Sequence, residues 1–163
     1  MSGNTNLRWF LLTPFLLVLF IVITFPTVSW ADVNRGIKFY ELGSQFLQKR
    51  QYSAAINYFK QSLENFKQAR HQLGISESLN GLAKAHTSLG QIDQAIKFYE
   101  ESLRVNRNIR DEEMIASVLT VTASLYNIRG ENKKSLKNFQ ESLVISRKLG
   151  NKSLVATNLM GMG

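Results

Sequence analysis

Ala54-Ala55-Ile56-Asn57-Tyr58-Phe59-Lys60-Gln61-Ser62-Leu63 returns further along the chain as Gln94-Ala95-Ile96-Lys97-Phe98-Tyr99-Glu100-Glu101-Ser102-Leu103, and again, after the same interval, as Lys134-Ser135-Leu136-Lys137-Asn138-Phe139-Gln140-Glu141-Ser142-Leu143. Small, aromatic and aliphatic residues hold the same places in each copy, at spacings of three and four, which is the period of a helix with one apolar stripe. Upstream of each copy lies a second stripe in the same register. It runs Phe39, Leu42, Gly43, Phe46, then Leu79, Leu82, Ala83, His86, then Leu119, Thr122, Ala123, Tyr126. Between the two stripes stand Arg50-Gln51, Gly90-Gln91 and Gly130-Glu131, where a glycine can take the left-handed conformation that ends a helix. Each unit therefore reads as helix, tight turn, helix.

A single helix pair leaves half of its stripe in water, whereas each buried Leu or Phe is worth roughly 1.5–3 kcal/mol. The units are therefore expected to stack and to draw their stability from their neighbours. The fold class predicted is all-α, tandem antiparallel helix hairpins stacked as an α-solenoid. Its units cover about 36–75, 76–115 and 116–155, with a partial fourth at 156–163. Pro is absent after Ala31 and helix-forming Leu, Ala, Gln, Lys and Glu recur, in agreement with this class. Beyond Asn151 only the first half of a first helix is matched, at Ala156, Leu159, Met162 and Gly163. Two expectations follow: that the repeats are the N-terminal part of a longer effector protein, or that Lys152 to Met162 is a short capping helix.

The pattern resembles the tetratricopeptide repeat over residues 33–163. Phe39-x2-Leu42-Gly43-x2-Phe46 followed by Ala55-x3-Phe59 follows that family's signature in order, with Phe39 in the tryptophan place and Phe46 in the tyrosine place. The second unit repeats it at Leu79, Leu82, Ala83, His86, Ala95 and Tyr99, and the third does so more weakly. Two departures stand out. The period is 40 where the family's is 34, and Lys67, Arg107 and Arg147 replace the closing proline. The longer period is similar to that of the extended-helix subclass found in cell-polarity adaptors and kinesin light chains. The resemblance implies a right-handed superhelix whose first helices line a concave groove for a peptide or partner helix.

Function follows from what that groove would present. Away from their apolar stripes the first helices carry Tyr40, Ser44 and Leu47, then Asn80, Lys84 and Thr87, then Thr120, Ser124 and Asn127. These are the candidate peptide-contacting residues, although neutral polar side chains also suit a plain solvated face. Glu100 and Gln140 on the second helices are expected to face outward. A basic ridge, Lys67, Arg70, Arg107, Arg110 and Arg147, recurs at the ends of the second helices. There it complements the negative helix termini, or serves a basic array that docks on anionic membrane or nucleic acid. Nucleic acid is the weaker option, because Asn80, Thr120 and Met160 do not repeat a base-reading side chain.

Enzymatic chemistry finds no support. The chain has no Cys, and His71 and His86, its only histidines, have no ligand-spaced partner. Asp111-Glu112-Glu113 sits where negative charge favours a helix start. No cofactor, metal or small-molecule substrate is expected, and the partner expected is a protein or peptide.

The segment 1–31 is read as a targeting segment. Trp9 to Phe25 runs without a charge, and Ser29 and Ala31 precede Asp32 as a signal peptidase requires. The same stretch, Trp9 to Trp30, would be about 33 Å long as a helix, against roughly 30 Å of hydrocarbon, so a membrane anchor through residues 9–30 is the alternative. Either way the repeats are expected outside the cytoplasm, exported or tethered. With Arg8 set aside, 19 Lys and Arg remain against 12 Asp and Glu, so the repeat domain is basic and is drawn to acidic surfaces.

Overall fold

The computed structural model describes residues 29–163, so Trp9 to Val28 of the proposed targeting segment lies outside the described residues. The described residues form helices α1 (Trp30–Gln48), α2 (Tyr52–Gln68), α3 (Gln72–Ser88), α4 (Ile92–Ile109), α5 (Glu112–Ile128), α6 (Asn132–Lys148) and α7 (Lys152–Met162). They pack as the sequential antiparallel pairs α1–α2, α3–α4 and α5–α6, with α7 closing the stack against α5 and α6. The protein is an all-α solenoid of helix hairpins, as the stripes predict. Among these helices none is long and apolar enough to cross a membrane.

Every hairpin and every junction between hairpins turns in the same way. A left-handed residue follows each of helices α1 to α6, at Arg50, Arg70, Gly90, Arg110, Gly130 and Gly150, with φ between 53° and 76°. The next residue's N–H then donates to the carbonyl five positions back, as in Gln51 to Phe46, Asp111 to Asn106 and Asn151 to Ser146, at 2.9–3.0 Å. This bond satisfies a carbonyl the helix leaves open. The punctuation thus recurs at half the interval of the sequence repeat, once after each helix. Three of the six left-handed sites are arginines, which pay a steric penalty that glycine escapes. Arg110→Gly is accordingly expected to raise the unfolding free energy by about 1 kcal/mol in a urea titration.

The starts of the first helices are also built alike. His71 Nδ1, Asp111 Oδ1 and Asn151 Oδ1 accept from the N–H groups of Gly74, Met114 and Leu154, each at 3.0 Å. Asp111 is therefore an N-cap, in keeping with the charge argument, and Glu112 behind it meets Lys148 Nζ at 2.5 Å. His71 also stacks on Phe66, and His86 stacks on Phe98 with ring centres 5.3 Å apart. Both histidines are packed rings.

Two devices hold the hairpins in register. The first is aromatic rings set between glycines. A Cβ added at Gly43 or Gly81 would come within 2.8 or 2.5 Å of the Phe59 ring, and one at Gly36 or Gly74 within 2.8 or 2.5 Å of Phe66. At the C-terminal end, a Cβ on Gly161 would meet Phe139 at 2.3 Å. The second device is a line of buried hydroxyls. Ser62, Ser102 and Ser142, the serines that mark the repeat, donate to the carbonyls of Gly36, Ser76 and Ala116 at 2.8, 3.4 and 2.8 Å. The acceptors are themselves one full repeat apart, so one bond fixes the same level of each hairpin. Ser62 reaches on to Ser78, and Ser142 receives a bond from Asn158 Nδ2 at 2.9 Å, which ties the first and third hairpins to the helix that follows each.

Candidate functional site

Helix α5 departs from α3 and α7 at the repeat positions that face the preceding hairpin. Gly81 and Gly161 let α3 and α7 lie against the rings of Phe59 and Phe139, but the residue in that place on α5 is Val121, opposite Tyr99. A valine side chain cannot approach a ring that closely. At the position of Ser78 and Asn158, α5 carries Val118, which has no hydroxyl or amide to bridge to α4. A cavity of about 150 Å³ lies at this joint, lined by Tyr40 from α1, Glu77, Asn80 and Lys84 from α3, Tyr99 from α4, and Met114, Ser117, Val118 and Val121 from α5.

The polar groups here are unequally satisfied. Asn80 is only 7% exposed. Its Nδ2 lies 3.2 Å from Met114 Sδ, and its Oδ1 is buried without a hydrogen-bond partner, the one such side-chain atom among the described residues. Leaving such an acceptor dry and unpaired costs about 1–3 kcal/mol. Glu77, half-buried one turn before it, has its carboxyl pushed up by desolvation, with His71 opposing. No cation of the described residues reaches Glu77 at ion-pair distance. Burial, and secondarily the Glu77 charge, push the Tyr40 hydroxyl up, while burial raises that of Tyr99 to about 12.

The sequence-derived groove residues divide into four groups. Tyr40, Asn80 and Lys84 meet in this cavity. Ser44 and Thr87 turn back to the carbonyls of Tyr40 and Ala83, each at 2.9 Å, and so satisfy themselves within their own helices. Ser124 and Asn127 are exposed on α5, where the Ser124 hydroxyl likewise turns back, to the carbonyl of Thr120 at 3.2 Å. Asn127 lines a different cavity of about 290 Å³, shared with Asn132, Ser135, Leu136 and Gly161 to Gly163. Thr120 is the departure: it is 5% exposed, and its hydroxyl bonds Ala116 O, Ser142 Oγ and Asn158 Oδ1. The docking of α7 covers it and draws it into the hydroxyl line instead of the groove.

Glu77, Tyr99, Met114, Ser117, Val118 and Val121 were not among the groove candidates, because each reads alone as stripe or surface. The signal for Met114, Val118 and Val121 is a break in the repeat: Gly74, Met114, Leu154; Ser78, Val118, Asn158; Gly81, Val121, Gly161.

The basic ridge is interrupted. Lys67, Arg70, Arg110 and Arg147 are exposed, but Arg107 is paired with Glu141 at 2.7 Å. Arg70 and Arg110 are also the left-handed turn residues. Both outer-face positions, Glu100 and Gln140, are exposed as expected, and Glu100 also accepts a bond from the Tyr126 hydroxyl across the α4–α5 joint. That bond stands second to burial in holding the Tyr126 proton tightly.

Residues 35–108 match the model of the tetratricopeptide repeat family. Among solved structures, the tetratricopeptide repeat domain of Arabidopsis FLU is similar at 18% identity with a TM-score of 0.68, over 72% of this chain and 98% of that one. The N-terminal domain of stress-induced protein-1 (STI-1) from C. elegans is similar at 17% identity and the same TM-score of 0.68, over 83% of this chain and all of that one, 100%. No curated protein matches the chain.

Proposed function

We propose that this tetratricopeptide repeat domain is a scaffold that holds a peptide or partner helix across the face formed by α1, α3 and α5, with the cavity at the α3–α5 joint as its anchor point. The observation that carries this reading is an open cavity lined by Asn80, a buried side chain whose Oδ1 has no hydrogen-bond partner. Around it, apolar surface from Met114, Val118 and Val121 offers burial, and a few convergent polar groups offer orientation. The face is assembled from three helices, so a ligand touching it reads the stack and not one hairpin.

The test is binding of the full chain to an array of short random-sequence peptides, compared with a variant that fills the anchor. Val121 is 38% exposed, so Val121→Trp can be accommodated by the fold while occupying the cavity. Peptide capture is expected to fall by roughly tenfold or more, the loss of one buried side chain's contacts. Gln140→Trp, on the outer face, is expected to leave capture and circular dichroism unchanged. Equal loss from both variants, or from Gln140→Trp alone, moves the binding face to the second helices.

The domain is further proposed to act outside the cytoplasm behind the hydrophobic segment of residues 9–25, cleaved after Ala31 or retained as an anchor. Ser29 caps α1, accepting from Asp32 N at 3.3 Å, so the Ala31–Asp32 bond lies in the first helical turn. Cleavage there requires that turn to fray, which helix ends do readily. Intact mass measurement on the membrane and soluble fractions distinguishes the outcomes: a chain starting at Asp32 indicates cleavage, one starting at Met1 in the membrane fraction indicates an anchor, and one starting at Met1 in the cytoplasm overturns export.

A further inference from the structure

We infer that the cavity at the α3–α5 joint is a receptor for the guanidinium group of an arginine side chain presented by a partner protein, an inference that rests on this face being the binding face. The starting point is a mismatch inside the cavity. Asn80 Oδ1 is an acceptor without a donor. Glu77, three positions earlier and on the same face of α3, is a half-buried carboxylate without a cation among the described residues. Two acceptors one turn apart, Asn80 Oδ1 wholly buried and Glu77 half-buried, call for a ligand that carries several donors and a positive charge. Burial that already disfavours the Glu77 anion makes the arrival of a cation more favourable there than at an open surface.

The remaining lining residues select among cations. Tyr40 and Tyr99 put aromatic groups beside the acceptors, and Met114, Val118 and Val121 supply apolar wall. A guanidinium is planar, stacks on aromatic faces, is weakly hydrated and offers five donors in a fork. Its methylene stem suits an apolar wall. An ammonium is compact and strongly hydrated, and would have to lose more water for fewer bonds. Lys84, which also lines the cavity, is exposed and stands two turns beyond Glu77, about 10 Å along the helix axis. Its charge is screened by solvent. The chain's overall positive charge opposes cationic ligands at long range, so recognition here depends on the local pair of acceptors and not on steering.

The test is nuclear magnetic resonance titration of the full chain, in detergent, with three small probes: N-acetyl-arginine methylamide, the uncharged isostere N-acetyl-citrulline methylamide, and N-acetyl-norleucine methylamide. The arginine probe is expected to shift the amides of Glu77, Asn80, Met114 and Val118 saturably. Citrulline and norleucine should bind roughly tenfold more weakly, the difference one charge-assisted hydrogen bond makes. Glu77→Gln, isosteric and checked for an unchanged melting temperature, should bring arginine down to the citrulline level. Asn80→Asp, which adds a second carboxylate in the same place, should tighten arginine and leave norleucine unchanged. No saturable arginine shift, equal affinity for arginine and citrulline, or an unaffected Glu77→Gln variant each overturns the inference. If peptide capture remains sensitive to Val121→Trp while arginine shows no preference, the binding face stands and the arginine receptor falls. If arginine binds as expected but no peptide is captured, the receptor stands and the extended peptide face falls.

Discussion

Gly81→Ala is expected to lower the unfolding free energy by about 1–3 kcal/mol, the usual cost of forcing extra volume into a packed core. The added Cβ would lie 2.5 Å from Phe59 Cε1 and 2.6 Å from Cδ1, well inside contact distance. Room for the ring to shift is limited, because Gly43 also lies against it, so closely that a Cβ there would stand 2.8 Å away. Phe59 is 1% exposed, so rotation into solvent is closed as well. Urea unfolding followed by circular dichroism measures the loss, and a second substitution tests its cause. Phe59→Leu alone should also destabilise, by leaving a cavity. In the Gly81→Ala/Phe59→Leu double variant the two costs should partly cancel, because the smaller side chain makes room for the methyl group. Strictly additive losses would show that the ring and the glycine do not meet. A repeat array can lose its ends before its centre, so Gly81→Ala should also lower hydrogen-exchange protection in α1–α3 more than in α5–α6.

Removal of α7 is expected to cost more, about 3–5 kcal/mol, combining lost apolar burial with orphaned polar groups. Truncation after Gly150 uncovers the Phe139 ring, which α7 reaches through Gly161. It also removes Asn158, fully buried, whose Oδ1 accepts from Thr120 and whose Nδ2 donates to Ser142. Asn158→Ala isolates the polar part of this effect and is expected to cost about 2–3 kcal/mol, because Thr120 and Ser142 stay buried with fewer partners. Asn158→Leu should be no better, since apolar volume cannot accept the Thr120 proton. Thermal unfolding of the three variants gives the order, and a truncated chain that melts with the intact one would show that α7 is not docked.

Much of this architecture is legible in the order of residues. Ser62, Ser102 and Ser142, with the aromatic three positions before each, announce the repeating unit, and the stripe from Phe39 to Phe46 and its copies supply the second helix of the pair. The glycine turns at Gly90 and Gly130 are as expected. At Arg50 the repeat register places the turn, but at Arg70 and Arg110 it is not announced, because arginine has no preference for the left-handed region and takes it only where both flanking helices are already packed. The basic ridge is legible as a pattern of charge, but whether a given cation is free is not. Arg107 and Glu141 are far apart in the chain and meet only through the stacking of α4 and α6.

The site divides along the same line. Periodicity places Asn80, Lys84, Thr120 and Ser124 off the apolar stripes, and with that the order of residues had settled an all-α solenoid, the level at which each helix lies, and a list of side chains free to leave the core. Which of them face a ligand depends on how closely neighbouring helices approach, and that is set by pairs of residues far apart in the chain. Gly161 lets α7 press on Phe139 and bury Thr120, whereas Val121 stands opposite Tyr99 at the joint where the cavity of Asn80 lies open. Side chains at three repeat positions, Met114, Val118 and Val121, set the joint at Asn80 apart from the one at which α7 covers Thr120. Helix periodicity is a local property written in spacings of three and four, while the separation of two helices is decided by volumes that meet only after the chain has folded.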